Sequence, residues 1–549
     1  MKSKIYNFIK VVLCTLLLFV FGCSENFLDE NPPNVISGET LYKNYEGFES
    51  GLNGLYSLVR IRTSSHAALE NVLNGVDNMC SNHISNQLYM EWGGQNNAVN
   101  SELQWIFEWL YSIINASNTI INRAQKEDIN WVGGTATPEE NKDRIIAEAK
   151  AIRAWAYRWL TYNWGDVPLA LNESMGSSIK TDWERTVVGE VRKQMISDFR
   201  SAEQYIPVEG SLQGRLTKGA VQHYLAEMYL TINKPDSALY WAEQVIGNPA
   251  YKLITTRYGE KKSQPGVPFM DMFTEGNQNR SEGNTEALWV MQFQRNVVGG
   301  GGSEIRRYYA GRYDQIVVNG KKPLVITYDR GGRNKSLFSM TKYAIDNYEL
   351  QDDRASNFAI RKYFVLNDAT ANAPYAADIL PAGYHYGDTI KLNWAKDITR
   401  TTNARVDWPY SRKADGTDPD NVLTDYNYND QIYLRLADTY LLKAEAQFKL
   451  GLPGDAATTI NIIRNRSNAT AVTGADITLD FILDERSREL FLEEERRFTL
   501  IRTHKWFERT KLYNHNGGGL ISQRDTLFAI PQSVIDANLT NPMPQNPGF

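Results

Sequence analysis

The residues best placed to do chemistry in this 549-residue chain are rings rather than nucleophiles. Tyr89 and Trp92 stand in the stretch from His83 to Asn97, beside Gly93-Gly94 and several side-chain amides. Tyr308 and Tyr309 follow the glycine run Gly299 to Gly302 and the pair Arg306-Arg307, with Tyr313 just beyond. Trp394 follows Asn393, and Trp408 precedes Pro409-Tyr410. These rings fall outside the apolar periods of helices and strands, so loops are expected to carry them. Flat aromatic faces suit the C–H faces of sugar rings, with amides, arginine and carboxylates for the hydroxyls; tyrosine and tryptophan add a polar handle to large apolar area. The six form the candidate ligand-binding set, and core packing is the competing reading for each. For Trp105, Trp109, Trp155 and Trp159, on helical faces, and Trp289, in an apolar run, core packing is the expectation.

Other chemistry has less to build on. HExxH, CxxC, P-loop and GxGxxG patterns are absent, and Gly299 to Gly302 lacks the strand–helix setting of a phosphate cradle. His66, His83, His223, His385, His504 and His515 are scattered without ligand spacing. No cofactor is expected. Asp415-Gly416-Thr417-Asp418-Pro419-Asp420-Asn421 offers hard oxygens to a structural calcium ion, but it lacks the full loop pattern and reads first as a turn. Between Glu485 and Arg497 the charges alternate in sign at i, i+3 and i+4, the pattern of paired charges on an exposed helix face. A surface glycoside hydrolase stays as the enzymatic alternative, since its two carboxylates, about 5–9.5 Å apart, can come from any of 64 acidic residues.

The elements that position these groups begin with an address. Lys2, Lys4 and Lys10 precede and flank the apolar run Val11 to Phe21, and Gly22-Cys23 follows. That is an export signal, and the run is shorter than the roughly 20 residues a membrane-spanning helix needs. Val20-Phe21-Gly22-Cys23 reads as a lipobox, with residues 1–22 removed and Cys23 acylated. Residues 23–38, opening Ser24-Glu25-Asn26-Phe27-Leu28-Asp29-Glu30, form a polar tether. Loss of three lysines takes the net charge from −5 to −8, and a mildly acidic chain without basic blocks argues against nucleic acid. Only Cys80 then remains unmodified, so the core holds the fold without an internal disulfide.

Residues 39–258 read as a helical scaffold, with periodic segments Thr40 to Arg62, Glu102 to Ala124, Glu139 to Tyr162 and Val187 to Tyr205. Two helix pairs then repeat one pattern. Val221, Tyr224, Leu225, Met228 and Tyr229 form a face broken at Asn233-Lys234-Pro235 and resumed from Ala238 to Ile246. Ala437, Tyr440, Leu441, Ala444 and Phe448 form another, broken at Leu452-Pro453-Gly454 and resumed from Ala456 to Ile463. A shift of 218 superposes Ala226-Glu227 on Ala444-Glu445 and Pro235 on Pro453, the logic of stacked tetratricopeptide-like helix hairpins. Residues 259–432 are a loop-rich excursion with short strands expected at Ala287 to Phe293 and Leu324 to Tyr328. Binding groups usually sit on such loops over a rigid frame. Residues 433–549 complete the scaffold, with one helix expected from Leu479 to Arg502. The fold class is mostly α.

Several segments, in order, resemble the SusD/RagB family. Ala149-Lys150-Ala151-Ile152-Arg153-Ala154-Trp155-Ala156-Tyr157 and Trp164-Gly165-Asp166-Val167-Pro168-Leu169 are similar to its signature. So are Arg215-Leu216-Thr217-Lys218-Gly219-Ala220, the run from Tyr433 to Ala446, Glu485-Arg486-Ser487-Arg488-Glu489-Leu490 with Glu494 to Phe498, Ile530-Pro531-Gln532 and Gln545 to Phe549. Glu495 and Phe498 replace the family's glycine and tryptophan. The resemblance implies a SusD-like, tetratricopeptide-like helical fold and a lipoprotein exposed at the outer-membrane surface. It further implies a non-enzymatic binder that passes oligosaccharide, or in some members peptide, to a SusC-like TonB-dependent transporter. The aromatic segments match no family motif, so their role stays a reading of residue chemistry.

Overall fold

The computed structural model describes residues 38–82, 88–368, 375–395 and 404–549. The expected signal peptide, Cys23, nearly all of the expected tether and His83 lie outside these. Helices α1 (Tyr45–Ser64), α2 (His66–Leu73), α3 (Ser101–Arg123), α4 (Pro138–Trp164) and α5 (Val188–Tyr205) come first. Their starts are written locally. Asn100 accepts from the amides of Glu102 and Leu103 at 3.0 and 3.1 Å, a cap worth about 1 kcal/mol. Thr137 and Glu140 cap α4 reciprocally, with Pro138 in its first turn. Trp109, Trp155 and Trp159 meet between α3 and α4 in a buried, edge-to-face cluster, as expected for core rings.

Helices α6 (Lys218–Thr231) and α7 (Pro235–Ile246) form one hairpin. After the short helix α8 (Ile305–Tyr309), α9 (Leu436–Lys449) and α10 (Pro453–Arg466) form a second. Ala226, Ala238 and Ala242 pack against Leu442 and Ala446, so small residues bring the two hairpins into contact. The superposed glutamates do equivalent work: Glu227 holds Arg158 at 2.8 Å, and Glu445 holds Arg502 at 2.5 Å, all buried. The mostly helical frame of stacked hairpins expected from the sequence is the one found.

The excursion is sewn to this frame by antiparallel pairs. Strand β1 (Met79–Ser81) pairs with β3 (Phe338–Met340), and β2 (Ala287–Met291) with β8 (Gln431–Arg435). Within it, β4 (Ile360–Arg361) pairs with β7 (Tyr410–Ser411), and β5 (Tyr363–Val365) with β6 (Thr389–Lys391). The strand expected at Leu324 to Tyr328 is absent from the described elements. Its backbone bonds to side chains instead: the Val325 amide donates to Asp378, and the Val325 carbonyl accepts from Arg330.

The charged segment departs furthest from expectation. It splits into α11 (Leu479–Leu490) and α12 (Arg496–Arg502), followed by α13 (Trp506–Tyr513), with Leu492 left-handed at φ 70° between the first two. Its charges are buried, not exposed. Glu489 accepts from Arg354 at 2.9 Å, Arg435 at 2.6 Å and Arg466, while Glu485 accepts from Arg354, Arg464 and Arg488. Glu493, Glu494 and Glu495 turn inward to Arg435, Arg486 and Arg158. Most partners come from other elements, so spacing along one helix does not reveal them. The network joins β8, α10, α11 and the excursion at one buried point.

Candidate functional site

The six candidate rings separate into core and surface. Trp92 is fully buried, against Trp506 at 5.2 Å and Phe528 at 6.2 Å, with Arg497 across its face. Tyr89 is buried beside it at 5.5 Å. Gly75, at φ +65°, makes the room: a Cβ there would meet Trp92 at 2.7 Å and Tyr89 at 2.9 Å. Tyr309 is buried with Phe338 and Phe491 and accepts from the Ser411 amide at 2.6 Å. Trp408 is buried and donates to the Met340 carbonyl at 2.9 Å. A ligand cannot reach these four rings, and their expected binding role is corrected to core packing. Lack of periodicity misled because irregular segments also deliver rings to a core.

Tyr308 and Trp394 keep access to solvent. Trp394 is exposed near the β5–β6 hairpin, 5.8 Å from the Lys362 ammonium, and no ring contact joins it to Tyr308. Tyr308, half-buried at the end of α8, gathers a site around it. The His66 ring, at the start of α2, lies 4.7 Å from it and tilted by 60°. The Lys335 ammonium stands 5.2 Å from its centroid, and Glu304 faces its hydroxyl. Burial works against the His66 imidazolium, but Glu70 at 3.0 Å, with Glu102 and Glu304, outweighs it and raises the His66 pKa. Burial pushes the Glu70 carboxyl up to about 7, against the pull of His66.

Glu102 leads to a ring that sequence reasoning assigned to the core. Trp105, one turn along α3, is 37% exposed and lies on Trp109 at 5.7 Å and 11°, which leaves its other face to solvent. The signal was available. Trp105 falls outside the buried stripe of Leu103, Ile106, Phe107, Leu110, Ile113 and Ile114. Tyr426 was also missed. It is exposed, and its ring packs on Gly302, where a Cβ would stand 2.8 Å away. The segment expected as a loop is instead a short helix held in place: Arg306, buried, donates to the carbonyls of Gly331 and Arg333 and to Asn334. Solvent-facing aromatic rings thus stand beside carboxylates, an imidazole and a lysine, the composition that grips a polyhydroxylated ring.

Other recesses are chemically spent. A groove of about 580 Å³ between α3 and residues 533–543 is lined by Phe107, Tyr111 and Trp183. Its amides Asn115, Asn118 and Asn538 bond to backbone. In a wider cleft of about 760 Å³, Arg257 pairs with Asp271 and Arg412 with Asp415. In the Asp415–Asn421 turn the carboxylates meet arginines: Asp415 pairs with Arg361 and Arg412, and Asp418 and Asp420 share Arg295. Cys80 lies 3.2 Å from His515, but burial pushes the thiol to about 12 and the imidazole to about 4. Both are neutral at pH 7, so no thiolate forms. Among the described residues no helix is long and apolar enough to cross a membrane.

Comparison with known proteins agrees with this architecture. The family model described as SusD family matches residues 285–549, and the one described as starch-binding associating with outer membrane matches residues 26–230. The chain is 24% identical over 530 residues to SusD-like protein P25 of Formosa agariphila, covering 91% of this chain and 90% of that one. A solved laminarin binding SusD-like protein superposes with a TM-score of 0.65 at 20% identity, covering 92% of this chain and all of that one. Surface glycan-binding protein A from Bacteroides fluxus gives 0.66 at 16% identity, covering 92% and 99%. These structures share the fold. The chain belongs to the SusD/RagB family.

Proposed function

We propose that this protein is a non-catalytic oligosaccharide receptor of the outer-membrane surface, anchored through lipid at Cys23. In this reading it captures glycan chains and hands them to a SusC-like TonB-dependent transporter. The observation that carries it is the ledge around Tyr308, whose ring reaches solvent beside His66, Lys335 and Glu304, with Trp105 exposed one helical turn from Glu102, which acts on His66. The family description as starch-binding and outer-membrane associated supports the substrate class and the place. The laminarin- and surface-glycan-binding names of its structural neighbours point the same way. A ledge of this kind binds weakly, since each ring contact adds about 1 kcal/mol beyond burial and association is costly. A transporter below it would compensate by raising the effective concentration.

The test is a polysaccharide panel run by affinity electrophoresis and by sugar analysis of the supernatant. Retardation by at least one glycan without release of shorter sugars is expected. Released product would replace the receptor with a hydrolase. Co-purification with a TonB-dependent barrel from outer membranes tests the delivery step separately.

A further inference from the structure

We infer that the glycan taken at this ledge is anionic, carrying a uronate carboxylate or a sulfate ester next to the ring that reaches Tyr308. The inference rests on the proposed glycan-binding reading and narrows it. Its basis is a charge imbalance. Arg307, Arg333 and Lys335 all direct their cations at one carboxylate, Asp425, at 2.6, 3.4 and 3.7 Å. Burial alone would raise the Asp425 pKa, but Arg307, Lys335 and Arg333 outweigh it and hold the carboxyl ionised. Three cations on one anion leave two positive charges uncompensated.

Over the whole ledge the named charges balance, and the excess is local to the end where Arg307, Arg333 and Lys335 meet Asp425. Glu304 acts on both the Tyr308 hydroxyl and Lys335 and takes up one of the two charges. Glu70 is committed to His66, and Glu102 acts on the same imidazole. The excess is also accessible. Arg333 and Lys335 keep 45% and 39% of their side-chain surface in solvent, while Arg307 is 93% buried beneath them, with no hydrogen-bond partner for its Nη1. An acidic protein of net charge −5 repels polyanions in general, so a local cationic cluster beside an aromatic ring is selective.

Lys335 couples the two parts of the ledge. Its ammonium stands over the Tyr308 ring, where a sugar would stack. A sugar ring occupies that face only as the lysine swings aside, which its four-carbon stem allows. A carboxylate or sulfate on that ring, or on its neighbour, then receives the displaced ammonium and the planar fork of Arg333. A neutral sugar displaces the same lysine and gives it no new partner. The ledge therefore favours the acidic ligand twice.

Titration calorimetry with three oligosaccharide series of equal length checks this: a neutral β-glucan, an oligouronate and a sulfated galactan. One acidic series is expected to bind about 10-fold tighter than the neutral one at about 50 mM salt, and to lose most of that margin near 300 mM as the charges are screened. In the double variant Lys335→Gln, Arg333→Gln the margin of the acidic over the neutral ligand is expected to shrink about 5-fold, with Tm unchanged. Preference for the oligouronate or for the sulfated series identifies the anionic group. Tighter, salt-independent binding of the neutral series would overturn the anionic reading and leave glycan binding intact. Binding of no series would overturn both.

Discussion

Trp92 and Tyr308 are equivalent candidates in the sequence, and the structure predicts opposite behaviour for them. Trp92→Ala removes a fully buried indole from between Trp506 and Phe528. Such a deletion costs about 3–5 kcal/mol through lost burial and the cavity left behind. An unfolding entropy of about 2 cal/mol/K per residue over roughly 500 residues converts this to a fall in Tm of about 3–5 °C. The ledge should survive, so the folded fraction should bind glycan as the wild type does. Tyr308→Ala removes a half-buried ring beside His66 and Lys335. It should weaken glycan binding about 5-fold, from about 1 kcal/mol of ring contact, with Tm within about 1 °C of wild type. Differential scanning calorimetry and glycan titration on the same preparations measure both. Loss of affinity in Trp92→Ala at unchanged Tm would refute the assignment of that ring to the core. Unaltered affinity in Tyr308→Ala would remove the ledge as the site.

Three further outcomes are expected. Trp105→Ala should lower glycan affinity without lowering Tm, because its outer face meets solvent; equal affinity would shorten the ledge to Tyr308 and its neighbours. Glu489→Gln leaves Arg354, Arg435 and Arg466 facing a neutral amide, and a broken buried charge cluster costs about 3–5 kcal/mol; an unaltered thermal midpoint would contradict the network. Burial alone would raise Glu485, but Arg354, Arg488 and Arg464 outweigh it and hold it at about 2, and Glu489 lies well below the usual carboxylate range. For a depressed carboxylate the stabilisation is complete above the unfolded value near 4.5 and disappears as pH falls toward the folded value. The contribution of Glu485 and Glu489 should therefore be level from pH 7 to 5 and be lost steeply below about pH 4.5, so that Tm at pH 3 falls below that at pH 7; equal midpoints at pH 7 and 3 would contradict this sign.

The helical frame was legible because its determinants are local. Asn100, Thr137 and Thr217 cap helices whose apolar spacing fixes period and length, and Pro235 and Pro453 punctuate the hairpins. The small alanines that let hairpins stack repeat at a constant shift, so their packing could be read from spacing alone. Tyr308 was singled out by its residue type, although it sits in the short helix α8 and not in a loop, and the exposure of Trp105 was findable from its place outside the buried stripe of α3.

What the linear chain could not reveal was decided by partners far apart in sequence. Glu489 is an exposed-looking helix charge until Arg354, Arg435 and Arg466 arrive from three other segments and replace its water. Trp92 looks like a loop ring until Gly75, Trp506 and Phe528 close around it. The sequence by itself determined the periodicity and caps that make the helices, since these act within a few residues. Tertiary structure alone decided which rings face water and which charges lose it, because burial belongs to the whole arrangement of the chain and not to any one stretch.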